Sequence, residues 1–185
     1  MTNPTVIVIP VPAADHLVSP YRLRFDPSGG EGMPAHITLL YPFLTRDRIS
    51  ADTLDALVAI ASGEPAFSFE LAEIRAFRAD HNAALYLAPV PESPFVRLIE
   101  AIAVRWPEMP PYGGIYGRVV PHLTVGMLDL GAPEELIRRE LEPRLPIGAR
   151  AEEVWIMARN EVGRWVKVSC TKLGPASPST HAAKE

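Results

Sequence analysis

Two short runs in this sequence carry side chains able to move protons and hold an anion: His36-Ile37-Thr38 and His122-Leu123-Thr124. An imidazole has a reference pKa of about 6.5, so near neutral pH one ring can take a proton while another gives one. A hydroxyl two residues further on can donate a hydrogen bond to an anionic oxygen. Breaking a phosphodiester asks for this set: a base at the attacking oxygen, an acid at the leaving oxygen, and donors to the non-bridging oxygens. No carboxylate cluster accompanies the histidines, so the reading calls for no metal and no cofactor.

Chance does not readily produce the pair. With eight threonines among 185 residues, Thr follows two places after a given His about 4% of the time. Two such hits among five histidines then arise roughly 2% of the time, so the doublet stands above background. Strand alternation puts His36 and Thr38 on one face, with Ile37, Leu39 and Tyr41 opposite. In the second run it puts His122, Thr124 and Gly126 together, with Leu123, Val125 and Met127 on the other side. Apolar faces packed beneath helices would leave the two His/Thr faces looking into a groove. Arg22, Arg24 and Arg118 are candidate contacts to a phosphate or base, and Tyr112 and Tyr116 are candidate stacking partners for a base. His16, His81 and His181 read as surface residues, and Tyr41 as packing.

The elements that must position these residues follow from pattern and punctuation. Thr5 to Val11 is a β-branched apolar strand. Residues 12–34 hold Asp-Pro, Ser-Gly-Gly and Met-Pro, and predict a long loop. His36 to Tyr41 is the second strand. Ser50 caps a helix to about Ala61, with Leu54, Leu57, Val58 and Ala61 on its stripe. Phe67–Ile74 and Ala84–Ala88 form a hairpin. Ser93 caps a helix to about Arg105, with Val96, Ile99, Ile102 and Ala103 on its apolar side. Pro107–Gly117 is a second loop leading to a strand over Val119–Leu128. A third helix starts at Pro133, and two strands, about Glu152–Ala158 and Arg164–Leu173, close the fold. Each half runs loop, His-apolar-Thr strand, helix and strand pair. This weak duplication predicts two similar lobes related by an approximate two-fold axis. One domain over residues 1–173 and a disordered tail over 174–185 are expected.

Composition bounds the partners. The formal net charge is −4 with a pI near 5.8, unlike domains that wrap long nucleic acid by neutralising phosphates. The expected partners are a small phosphorylated nucleotide or an RNA end, with no long nucleic acid, no membrane and a monomeric chain. The single Cys170 forms no internal disulfide and reads as a strand residue. The apolar run Val6–Val11 has no basic lead and contains Pro10, and no run approaches the roughly 20 residues of a membrane span. A cytoplasmic protein is expected.

The two motifs, Pro34-Ala35-His36-Ile37-Thr38-Leu39-Leu40-Tyr41-Pro42-Phe43 and Pro121-His122-Leu123-Thr124-Val125-Gly126, resemble those of the 2H phosphoesterase superfamily. That superfamily includes 2′-5′ RNA ligase-like proteins and 2′,3′-cyclic nucleotide phosphodiesterases. The similarity extends over about residues 4–173. It implies an α+β fold of two pseudo-symmetric lobes, antiparallel sheets with helices outside around a central cleft. It also implies His36 and His122 as catalytic residues, and Thr38 and Thr124 as phosphate-binding ones. The activity it implies is hydrolysis of a 2′,3′-cyclic phosphate or a related small diester. RNA end processing or 2′-5′ ligation, and non-catalytic binding of a nucleotide or RNA end, are the alternatives.

Overall fold

A computed structural model describes residues 3–78, 83–114 and 119–175. Two four-stranded antiparallel sheets organise the chain. The first has the order β2-β1-β7-β8, built from β1 (Val6–Pro10), β2 (His36–Leu40), β7 (Glu153–Arg159) and β8 (Trp165–Lys172). The second has the order β5-β4-β3-β6, from β3 (Phe67–Phe77), β4 (Ala84–Val90), β5 (Leu123–Met127) and β6 (Ile147–Ala151). The two His-Thr strands are thus edge strands, one per sheet, and those edges lie against each other.

The helices are exchanged between the sheets. Helix α1 (Pro12–Phe25) leaves β1 yet packs on β5 and β6, whereas α4 (Ser93–Arg105) leaves β4 yet packs on β2. Helix α3 (Ala51–Gly63) sits on β8 and α4, and α5 (Glu134–Leu141) sends Ile137 and Leu141 into the main core. One apolar cluster, including Ile7, Ile37, Leu87, Phe95 and Leu123, runs through both lobes. Burying these side chains at about 1.5–3 kcal/mol each holds the two edges in a fixed relation. The α+β architecture of two lobes expected from the sequence is the one observed.

Several local expectations are corrected. Residues 12–34 are mostly helical, as α1 and a short α2 (Pro27–Gly30), not a loop. Pro12 stands in the first turn, where its missing N–H costs nothing. Ala14, Val18 and Arg22 recur every four residues and all are buried, so packing of this stripe outweighs the ladder bond that Pro20 removes. In α3, Ser50 caps through Thr53 as its type predicts, but the buried stripe is Thr53, Leu57 and Ala61, with Val58 exposed. In α4 the cap is Glu92 rather than Ser93, and Phe95, Leu98, Ile99 and Ile102 form the buried face. Strand β6 was not anticipated from the sequence, being five residues long with Gly148 inside it. Gly174, assigned to the tail, is held in place: its N–H donates to the Glu64 carbonyl at 2.8 Å and its carbonyl accepts from Ala66. The tail beyond Pro175 lies outside the described residues.

Candidate active site

The two motifs occupy equivalent positions in strand register. Ile37 pairs with Ile9 and Thr38 with Val8; in the other sheet Leu123 pairs with Leu87 and Thr124 with Tyr86. After each Thr the register slips by one residue, leaving Leu39 and Val125 as extra residues on their strands. Such bulges occur next to functional sites, because they re-aim the side chains around them. The slip corrects simple alternation. Leu39 and Leu40 both face the main core, while Tyr41 turns to a smaller cluster with Val6, Val8 and Met33. Gly126 likewise points at Ala132 and Phe25, where an added Cβ would meet carbons at 3.1 and 3.2 Å. It is not on the His/Thr face.

The histidines themselves match closely. Nδ1 of His36 is 2.8 Å from the Pro34 carbonyl, and Nδ1 of His122 is 2.7 Å from the Val120 carbonyl. A carbonyl oxygen only accepts, so Nδ1 carries the proton in each ring and Nε2 is left to bind or exchange one. Both residues are half-buried. Burial first, and then the Arg22 guanidinium, push the His36 pKa down to about 4; a charge on His122 acts in the same direction. Burial also lowers the pKa of His122. A charge on His122 thus opposes one on His36, which favours states with at most one of the rings protonated. Thr38 and Thr124 are half-buried too, and among the described residues neither hydroxyl has a protein partner. Neutral imidazoles, free hydroxyls and one buried cation make a setting that can receive an anion.

The remaining candidates separate. Arg22 and Arg24 sit on α1, where two residues turn the chain by about 200°, so they face opposite ways. Arg22 is buried, with Nε 3.0 Å from Asp26 Oδ2 and Nη2 3.4 Å from Ser28 Oγ, and its charge is felt at His36. Arg24 lies over the Phe25 ring and lines a groove between α1 and α5, as does His16. Tyr112, at φ 52°, donates its N–H to the Tyr41 carbonyl, which fixes the second loop against the first motif strand. Tyr116 and Arg118, together with His81 and His181, lie outside the described residues. Among the described residues no group of three or more His, Cys, Asp or Glu is placed to hold a metal ion. No helix in them is long and apolar enough to cross a membrane.

Three neighbours were not found by sequence reasoning. Phe77 and Tyr86 stack at 4.2 Å and both set ring edges against His122, at 4.9 and 5.5 Å. Asp15 accepts the Ala35 N–H at 2.8 Å and so fixes the residue before His36. Tyr86 stood inside the expected hairpin, whereas Phe77 lies three residues beyond its first strand as read from the sequence, because β3 runs on to Phe77. Asp15 carried no signal, because its role depends on α1 being a helix.

A family model described as the 2′-5′ RNA ligase superfamily matches residues 9–163. No curated protein matches the sequence closely enough to count as a relative. Among solved structures, E. coli LigT complexed with 3′-AMP is similar at 16% identity and a TM-score of 0.58, over 92% of this chain and 98% of that one. E. coli LigT complexed with NADP+ is similar at 16% and 0.57, over 94% and 98%. TT0787 of Thermus thermophilus is similar at 16% and 0.58, over 94% and 100%. At these identities the structures speak for the fold, and the matched family model covers most of the chain. This chain belongs to the 2′-5′ RNA ligase superfamily, within the 2H phosphoesterases.

Proposed function

We propose that the protein is a phosphodiesterase that opens a nucleoside 2′,3′-cyclic phosphate, or a related small diester, by acid–base catalysis between His36 and His122. The observation that carries this reading is the matched presentation of two Nε2 atoms. In each ring an Nδ1 bond to a backbone carbonyl two residues upstream leaves Nε2 for the substrate. One ring takes a proton from the attacking water as its oxygen bonds to phosphorus, and the other gives a proton to the departing ribose oxygen. The Thr38 and Thr124 hydroxyls donate to the non-bridging oxygens. Arg22, with Nε and Nη2 occupied by Asp26 and Ser28, has Nη1 left for the phosphate. Neither histidine needs a metal for these steps. Crystals of LigT with 3′-AMP and ATP accord with a nucleotide ligand in this fold.

Incubation with 2′,3′-cyclic mononucleotides, followed by ³¹P NMR, is expected to show conversion to a phosphomonoester, unchanged by EDTA. Saturable binding with no turnover of any cyclic mononucleotide would instead identify a binding protein.

The pH dependence follows from the two lowered pKa values. A bell-shaped kcat/KM profile has one limb at each free-enzyme value, whichever ring serves as base. Both lie below the ordinary 6.5, with His36 near 4. Each ring is therefore neutral above its own value, and the protonated acid becomes scarce as pH rises. The kcat/KM optimum is expected on the acid side of pH 6.5. The kcat profile is displaced upward, because bound phosphate favours imidazolium. An optimum of kcat/KM above pH 7.5 would contradict the assignment.

A further inference from the structure

The face of the first sheet that carries Thr38 continues across β1 to β7 and β8, where Val8 and Trp155 belong to the smaller apolar cluster. Thr38 pairs with Val8, Val8 with Trp155, and Trp155 with Cys170. Directly paired residues share a face, so these four make one row across the sheet. Strands lie about 4.8 Å apart, which puts the Trp155 backbone about 10 Å from that of Thr38. That is about the reach of one nucleoside from its phosphate to its base.

We propose that Trp155 is the platform on which the substrate's nucleobase stacks while its phosphate sits between the two His-Thr motifs; this rests on the phosphoester reading above. Of the three tryptophans, Trp106 and Trp165 are 4% and 8% exposed, whereas Trp155 is only half-buried. Its ring is already held in one plane, since Nε1–H donates to Glu153 Oε2 at 2.7 Å. The Lys167 ammonium lies 4.0 Å from the ring centroid. Lys167 is exposed, so its ammonium can move off the half-buried ring into water and a base can take its place. The displaced ammonium then stays beside the ligand as a counter-charge. The β7–β8 pair suits this: it carries Arg159, Arg164, Lys167 and Lys172 against Glu153 and Glu161, in a chain whose net charge is −4.

Among the described residues the other lobe offers no equivalent. Its corresponding row runs from Thr124 through Tyr86 to Arg75. Tyr86 is buried against Phe77 and His122, and Arg75 is bound to Glu73. The two motifs are near-symmetric, but the rows beside them are not, and the difference sets which lobe takes the base. Stacking on a sheet-borne aromatic is how sheet surfaces hold unpaired bases.

Titration with 3′-AMP is expected to quench tryptophan fluorescence saturably in the wild type and not in Trp155→Phe, while inorganic phosphate quenches neither. Trp155→Ala is expected to raise KM for 2′,3′-cyclic AMP about tenfold, with kcat within twofold and inhibition by inorganic phosphate unchanged. Trp155→Phe, which keeps a ring, is expected to restore KM to within about threefold. Equal quenching in wild type and Trp155→Phe, or a Trp155→Ala KM within twofold of wild type, would overturn the subsite while leaving the two-motif reading intact. Loss of turnover and of phosphate inhibition in the wild type would count against the two-motif reading, and the 3′-AMP quenching would still decide Trp155.

Discussion

His36→Ala and His122→Ala are each expected to lower kcat for a 2′,3′-cyclic nucleotide by about 10²–10⁴-fold while leaving the thermal melt close to wild type. The size follows from what a positioned acid or base contributes. Near-neutral stability follows from where the rings are: both are half-buried, and neither belongs to the main apolar cluster. Removing His122 leaves Phe77 and Tyr86 stacked on each other, and removing His36 leaves the Arg22–Asp26 pair in place. The double variant should fall little below the worse single one, because a base without its acid has already lost most of the concerted advantage. Steady-state kinetics of the three variants, beside their melts, check this. Wild-type-like turnover in either single variant would remove the two-histidine mechanism.

Thr38→Val and Thr124→Val come next, each with an expected loss of about 10²–10³-fold in kcat, the usual scale for removing one donor to a developing oxyanion. Valine keeps the shape and the β-branched fit to the strand but takes away the hydroxyl. Since among the described residues neither hydroxyl is bonded to protein, the change leaves no buried partner stranded, and stability should hold. The two losses should be similar because Thr38 and Thr124 hold the same place in register relative to their histidines and bulges. Loss in KM alone, with kcat unchanged, would mean the hydroxyls bind the ground state and transition state equally.

The parts of this molecule that declared themselves in sequence were those written in local pattern. The His-x-Thr doublet, the capped α3 and the alternation of β3 were readable because neighbouring residues alone determine them, and β4 was legible as the short apolar run that pairs with it. What stayed hidden depended on distant contacts. The bulges at Leu39 and Val125 cannot be seen in one strand, since each is a mismatch with the partner strand. Helix α1 was obscured by Pro12, Pro20 and the glycines near its end; its stripe of Ala14, Val18 and Arg22 gains meaning only against β5 and β6. With α1 went the correct reading of the arginines. In an extended loop Arg22 and Arg24 would point alike, but in a helix one is buried, with its charge felt at His36, and the other lines the groove between α1 and α5. The same misreading concealed Asp15, whose carboxylate reaches Ala35 across twenty residues of sequence.

A crystal structure of the protein soaked with inorganic phosphate tests the central claim most directly. One phosphate is expected within hydrogen-bond distance of four atoms: Nε2 of His36, Nε2 of His122, Oγ1 of Thr38 and Oγ1 of Thr124. A phosphate bound elsewhere, or one contacting a single motif while the other histidine points away, would contradict a shared site.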